Sequence, residues 1–290
     1  MPAPVFIVRE YGDLCNVLLT FANAAALAAD HQRTLYNFVF DKYADFFAGT
    51  AHARMIRYPA APGLGPKLLL ASVGAERTRK FLFSPKWRRR SRLFLAEVAA
   101  ADHVEVRMDY PPLQTFRQDR RAIVLNAWNL HLPAPVERHG ERLRAYFSLA
   151  PAWKSRLEQW WAGHPPVAGP LVGVHLRRGT ENYLPGDVFH RSDEFYHSRM
   201  LEMAAQLGPQ TTFLLCSDVE IDLKNFPGLH TLRGPGHRIL DLYSLARCQW
   251  IFGPPSTYSA WASWFGRVRR AVVLTDHPLH LEVFKVHDFE

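Results

Sequence analysis

Cysteine is scarce: the 290 residues hold three, Cys15, Cys216 and Cys248, far apart and without a C-x-x-C pair. That excludes a disulfide scaffold and gives no zinc-ligand spacing, so a reducing compartment fits best. Long apolar runs are missing as well. The longest, Val17 to Ala29, is interrupted by Thr20 and Asn23 and falls short of the ~18 residues expected of a spanning helix. It follows a strand-like segment carrying Arg9 and Glu10, so it does not read as a signal peptide. The expectation is a cytoplasmic protein of bacterial type. Internal repeats, a low-complexity tail and an Asp-x-Asp element for a metal are also lacking. Acidic charge is in deficit: 27 Asp and Glu against 35 Lys and Arg leave a formal net charge of +8. Such a balance favours phosphorylated or polyanionic partners and says nothing about fold.

What is present can fill a core. The chain is 48% hydrophobic and 13% aromatic, which argues against global disorder. Pro4 to Val8 is a continuous β-prone run of the kind buried in parallel sheets. A turn at Tyr11 to Asn16, an alanine-rich helix to Asp30 and a strand at Leu35 to Phe40 follow. This β-turn-α-β start is the mark of a doubly wound α/β layer. Between Asp41 and Arg92 the pattern is irregular and includes the basic cluster Lys86 to Arg92. Val104 to Val106 and Ala122 to Asn126 read as short strands. Glu137 to Ser148 and Ala152 to Gly163 read as helices, the second with a stripe of Trp153, Leu157, Trp160 and Trp161 that suggests packing.

His164 to Pro170 is rich in proline and glycine and reads as a linker. The expected division is therefore 1–164 and 165–290. Beyond the linker, strands and helices alternate regularly: strands at Leu171 to Leu176, Thr212 to Cys216, Leu229 to Leu232, Trp250 to Gly253 and Ala271 to Leu274, with helices at Asp193 to Leu207, Ile239 to Cys248 and Thr257 to Phe265. The fold class expected is α/β, with two doubly wound Rossmann-like domains.

Chemistry-bearing residues gather at strand exits, where such folds bind ligands. His175-Leu176-Arg177-Arg178-Gly179 puts a histidine and two arginines at one of them. Alternation places His175 and Arg177 on one face and Arg178 on the other, which favours Arg177 as the fork for a diphosphate. Ser217-Asp218 leaves the next main strand, and an aspartate there can accept from a nucleobase edge or ribose hydroxyls. Ser256-Thr257 opens a helix, with hydroxyls and unbonded N–H groups suited to phosphate. Gly12 and Asn16 mark the turn after the first strand. Taken singly, each motif also fits an ion pair, an Asx turn or an ordinary helix cap.

Taken together these motifs resemble the bacterial α-1,2-fucosyltransferase family. The resemblance rests on His175, Arg177, Arg178 and Gly179, on Ser217-Asp218, on Asp241, Tyr243 and Cys248, and on Ser256 to Ser259 with Trp261 and Trp264. Gly12 and Asn16 match more loosely. It implies a GT-B fold, an acceptor-side domain at 1–164 and a donor-binding domain at 165–290. It also implies inverting transfer of fucose from GDP-fucose to an oligosaccharide or lipid-linked glycan, independent of metal or other cofactor. Arg177 would bind the donor β-phosphate, with His175, Arg178, Ser217, Asp218, Ser256, Thr257, Gly12 and Asn16 along the donor. Where the family has aspartate after the glycine, this chain has Thr180 and then Glu181. Glu181 is accordingly the second catalytic candidate beside Arg177, with Asp187 and Asp13 as further candidate bases. The departure also motivates a rival reading as a nucleotide- or glycan-binding relative without activity. A second rival gives Lys86 to Arg92 to nucleic acid, although the α/β pattern matches no common nucleic-acid module. The same cluster could also attach the protein peripherally to an anionic membrane.

Overall fold

In the computed structural model the described residues are 2–51, 53, 55–60, 95–101, 104–114, 116, 119–127, 129–179, 189–275 and 277–287. The basic cluster Lys86 to Arg92, Thr180, Glu181 and Asp187 lie outside them. The chain divides into two compact units, Met1–Pro151 and Ala152–Asp288.

The first unit is built on a five-stranded sheet of order β3-β2-β1-β5-β4. Its strands are β1 (Val5–Ile7), β2 (Leu35–Asn37), β3 (Arg57–Tyr58), β4 (Leu95–Ala99) and β5 (Ala122–Asn126). All neighbours are parallel except the β2–β3 pair. Helix α1 (Leu14–Asp30) is alanine-rich and buries most of its circumference. Its one deeply buried amide, Asn23, is satisfied on both sides: Oδ1 accepts from the Leu132 N–H (2.8 Å) and Nδ2 donates to the Leu19 carbonyl (2.9 Å). Helices α2 (Pro111–Gln114) and α3 (Pro133–Tyr146) complete the unit. Val106 forms an isolated bridge to Leu130 rather than the short strand expected at 104–106.

Helix α4 (Pro151–Ala162) lies almost wholly in the second unit. Its side chains explain why. Trp153 stacks on His237 at 4.6 Å, Glu158 pairs with Arg247, and the Arg247 guanidinium sits over the Trp161 ring. The division thus falls at 151/152, ahead of the proline-rich segment expected to mark it.

The second unit carries a six-stranded sheet of order β11-β10-β9-β6-β7-β8. Its strands are β6 (Leu171–Leu176), β7 (Thr212–Ser217), β8 (His230–Arg233), β9 (Trp250–Gly253), β10 (Arg269–Val272) and β11 (Lys285–Val286). All pairings are parallel except β10–β11. Helices α5 (Asp193–Leu207), α6 (Arg238–Leu245) and α7 (Thr257–Gly266) connect them. From β6 the chain winds outward through β7 to β8 and then returns to β9 on the other side of β6. The strand order therefore reverses between β6 and β9, which is where doubly wound sheets open a ligand crevice.

Every residue of β6 is buried. Val172, Val174 and Leu176 pack with Tyr196, Met200 and Met203 of α5. The alternate residues face α6 and α7. Gly173 is one, and a Cβ there would lie 2.6 Å from Leu245 Cδ2 and 3.1 Å from Cys248 Sγ. At Gly253 a Cβ would stand 2.5 Å from the His175 carbonyl oxygen, so β9 approaches the exit of β6 at backbone distance. A leucine tip can swing aside and a carbonyl cannot. Gly253→Ala is therefore expected to destabilise by about 1–3 kcal/mol or more, and Gly173→Ala by less. Chemical denaturation of the two variants checks the order.

Candidate functional site

The site is built on the exits of β6, β7 and β9 and on the start of α7, all within the second unit. The alternation that buries β6 continues past its end. Arg178 falls on the α5 side, where it pairs with Asp193 and lies 5.3 Å over the Tyr196 ring. His175, on the opposite face, has its ring 5.1 Å from that of Tyr258 in the first turn of α7. Arg177 follows His175 on that side, and its charge is one cause of the low His175 pKa described below. Its guanidinium lies 5.8 Å from the Phe189 ring centroid. Of the two adjacent arginines, Arg178 is thus bound to α5, while Arg177 lies over Phe189 with its charge still felt at His175.

Asp218 organises the loop after β6. One carboxylate oxygen accepts the Arg178 N–H (2.8 Å) and the other the Gly179 N–H (2.8 Å). Charge-assisted bonds of this kind contribute about 1.5–3 kcal/mol each. Gly179 makes the grip feasible, because a Cβ there would stand 2.5 Å from the same carboxylate oxygen. Ser217 donates to Asp218 (3.3 Å) and accepts from the Val219 N–H (3.3 Å). Ser217 and Asp218 therefore hold the exits of β6 and β7 together. A carboxylate has about four acceptor positions, and capacity remains for a ligand.

Across the crevice Ser256 caps α7, its hydroxyl accepting from the Tyr258 N–H (3.2 Å). No acidic residue occupies the first turn of this helix. The N–H groups that helix geometry leaves open there carry partial positive charge, which suits an anion. His175 beside it is 8% exposed, and its Nδ1 has no hydrogen-bond partner. Burial first, and then the charge of Arg177, hold its pKa down at about 4, so the ring is neutral at neutral pH.

Next to this crevice lies a cavity of about 270 Å³ between the ends of β7 and β8 and the start of α6, lined by Ser217, Asp218, Glu220, Arg233, Gly236 and Asp241 among others. Asp241 is buried, and one of its oxygens accepts the Gly236 N–H (3.0 Å). Desolvation outweighs that bond and pushes its pKa up to about 7.

The structure thus gathers His175, Arg177, Ser217, Asp218, Ser256 and Thr257 around neighbouring strand ends, and turns Arg178 into α5. Gly12 and Asn16 stand in the first unit. There Gly12 takes a positive φ of 62°, and the Asn16 side chain packs against it where a Cβ would be. Asp13 is the N-cap residue of α1 and makes no side-chain capping bond. Glu181 and Asp187 lie outside the described residues. Asp241 and Tyr258 were legible only as parts of larger motifs. Arg270 of β10, whose charge also reaches His175, was not singled out at all. Among the described residues no group of three or more His, Cys, Asp or Glu is placed to hold a metal ion, and no helix is long and apolar enough to cross a membrane.

No protein-family model and no curated protein matches the sequence. Solved structures do match the fold. A mutant of Arabidopsis thaliana FUT1 in complex with GDP superposes with a TM-score of 0.59 at 10% identity, over 98% of this chain and 74% of that one. Fucosyltransferase NodZ from Bradyrhizobium gives 0.55 at 19% identity, over 97% and 98% of the two chains. POFUT1 in complex with GDP gives 0.51 at 14% identity, over 91% and 94%. At such identities the likeness establishes architecture: two Rossmann-like α/β units of the GT-B class.

The raised Asp241 pKa has a measurable consequence. Between its ordinary value of 3.8 and about 7, the folded state binds this proton more tightly than the unfolded chain does. Its contribution to stability is thus complete below pH ~4 and is lost as pH rises through ~7. His175 runs the other way, since its depressed pKa gives stability that is lost as pH falls from ~6.5 to ~4. The difference between proteins isolates Asp241. Asp241→Asn should gain stability relative to wild type between about pH 5 and about pH 8 in thermal melts. A constant difference would contradict the burial argument.

Proposed function

We propose that the chain is an inverting glycosyltransferase that transfers fucose from GDP-fucose to a hydroxyl of a glycan acceptor. The observation that carries this reading is the meeting of Arg177, His175 and the start of α7 at the point where the strand order reverses, with a nucleobase-sized cavity beside it. The neighbours of this fold point the same way: the FUT1 and POFUT1 structures hold GDP, and a NodZ α-1,6-fucosyltransferase structure was soaked with GDP-fucose. We assign the donor to the carboxy-terminal unit and the acceptor to the amino-terminal one. The α-1,2 linkage rests on the motif resemblance alone.

In this reading the guanine enters the cavity at the ends of β7 and β8. Its ring N–H and amino group are donors, and Asp241 and Asp218 supply carboxylate acceptors. The diphosphate lies at the α7 start, near Ser256 and Thr257, with Arg177 on the β-phosphate. The acceptor hydroxyl attacks C1 of fucose from the face opposite the leaving group. As the C1–O bond to the β-phosphate breaks, negative charge grows on the diphosphate oxygens. Arg177 keeps its positive charge throughout, and the helix dipole is fixed in place, so both stabilise that charge without reorganising. His175, neutral at neutral pH, can offer either a ring N–H or a ring nitrogen to the donor. The acceptor proton leaves to a base, for which Glu181, Asp187 and Asp13 are the candidates.

Purified protein incubated with GDP-fucose and galactoside acceptors should transfer or slowly hydrolyse fucose, and other nucleotide-sugars should be poorer donors. Binding or hydrolysis of another donor in preference to GDP-fucose would overturn the fucosyl assignment. Arg177→Ala should lower turnover by about 10²–10³-fold, as loss of a positioned charge-stabilising donor does. Wild-type turnover in that variant would remove the role given to Arg177.

A further inference from the structure

The second unit holds one arginine placed against its own stability. Arg270 rises from β10 beneath α7, where its Nε donates to the Ser259 hydroxyl (2.9 Å) and its Nη2 to the Ser256 carbonyl (3.4 Å). Ser259 is 0% exposed, Arg270 itself is half-buried, and its partial loss of water brings its pKa down to about 10. Four other arginines of the unit meet carboxylates: Arg178 with Asp193, Arg199 with Glu202, Arg233 with Glu220 and Arg247 with Glu158. Among the described residues Arg270 pairs with none. A cation partly removed from water without a counter-charge costs some stability, and so does a cation behind the positive end of a helix dipole. An anion at the mouth of that helix reverses the sign of both effects.

Two further observations point to such an anion. The charge of Arg270 reaches His175, so it acts on the crevice and not only on α7. His175 itself keeps a buried ring nitrogen without a partner beside the same helix turn. Resting on the donor-site reading above, we infer that Arg270 is a positioning residue for the donor diphosphate. It braces the Ser256–Ser259 turn from behind and adds a fixed positive charge to the site without contacting the ligand.

The inference separates diphosphate binding from nucleoside binding and from stability. Titration calorimetry would compare GDP with guanosine on wild type, Arg270→Met and Arg270→Lys, alongside thermal melts and imidazole NMR of His175. Arg270→Met should bind GDP about tenfold or more weakly, with guanosine affinity nearly unchanged and no loss of thermal stability. Arg270→Lys should retain much of the GDP affinity. The His175 titration midpoint should rise in the methionine variant and stay lower in the lysine variant.

Equal losses for GDP and guanosine, or a methionine variant that melts well below wild type or fails to fold, would make Arg270 an ordinary structural brace and overturn the inference. Unchanged GDP affinity in a folded methionine variant would overturn it too, while leaving the donor site standing. Wild-type protein that binds neither GDP nor guanosine would remove the donor-site reading and this inference with it.

Discussion

The two-residue alternation of a strand buried on both faces governs the organisation of this site. Because both faces of β6 are packed, its register cannot slip without driving Val172, Val174 and Leu176 out of the α5 side. That same register sends Arg178 to Asp193 and His175 to Tyr258 of α7. Two adjacent arginines with identical chemistry are given different tasks by geometry alone. Asp218 then fixes the loop by its backbone, so the side chains that follow β6 leave the sheet from a held frame.

Charge in the crevice is unbalanced in one direction. Burial first, and then the charges of Arg177 and Arg270, keep His175 neutral down to about pH 4. No acidic side chain stands in the first turn of α7 to offset it. The cavity at the ends of β7 and β8 carries more acceptors, with Asp218 and Asp241 on its walls beside the Arg233–Glu220 ion pair. A ligand with an anionic centre and a hydrogen-bond-donating ring matches this polarity, and a guanosine diphosphate has both.

Much of this was legible in sequence, for reasons tied to particular residues. The βα alternation after residue 170 was readable because strands buried on both faces become continuous apolar runs, and the structure has β6 at the expected Leu171–Leu176 and α5 at the expected Asp193–Leu207. Strand β10 begins two residues before the expected Ala271, because Arg269 and Arg270 disguise its start. Strand β4 was not anticipated; its Leu-Ala-Glu-Val-Ala sequence reads as helix as readily as strand. The grip of Asp218 on the Arg178 and Gly179 N–H groups could not be foreseen, since it joins residues about forty apart through backbone atoms. The compact units divide at 151/152, and stacking of Trp153 on His237 holds α4 to the second of them.

The central claim is that a nucleoside diphosphate binds with its phosphates at the start of α7. A crystal structure of the protein with GDP tests it directly. The account predicts diphosphate density against the Thr257–Ser259 turn with Arg177 turned onto the β-phosphate, and the guanine beside Asp241. Guanine or diphosphate bound elsewhere, with Arg177 directed away from it, would contradict the account.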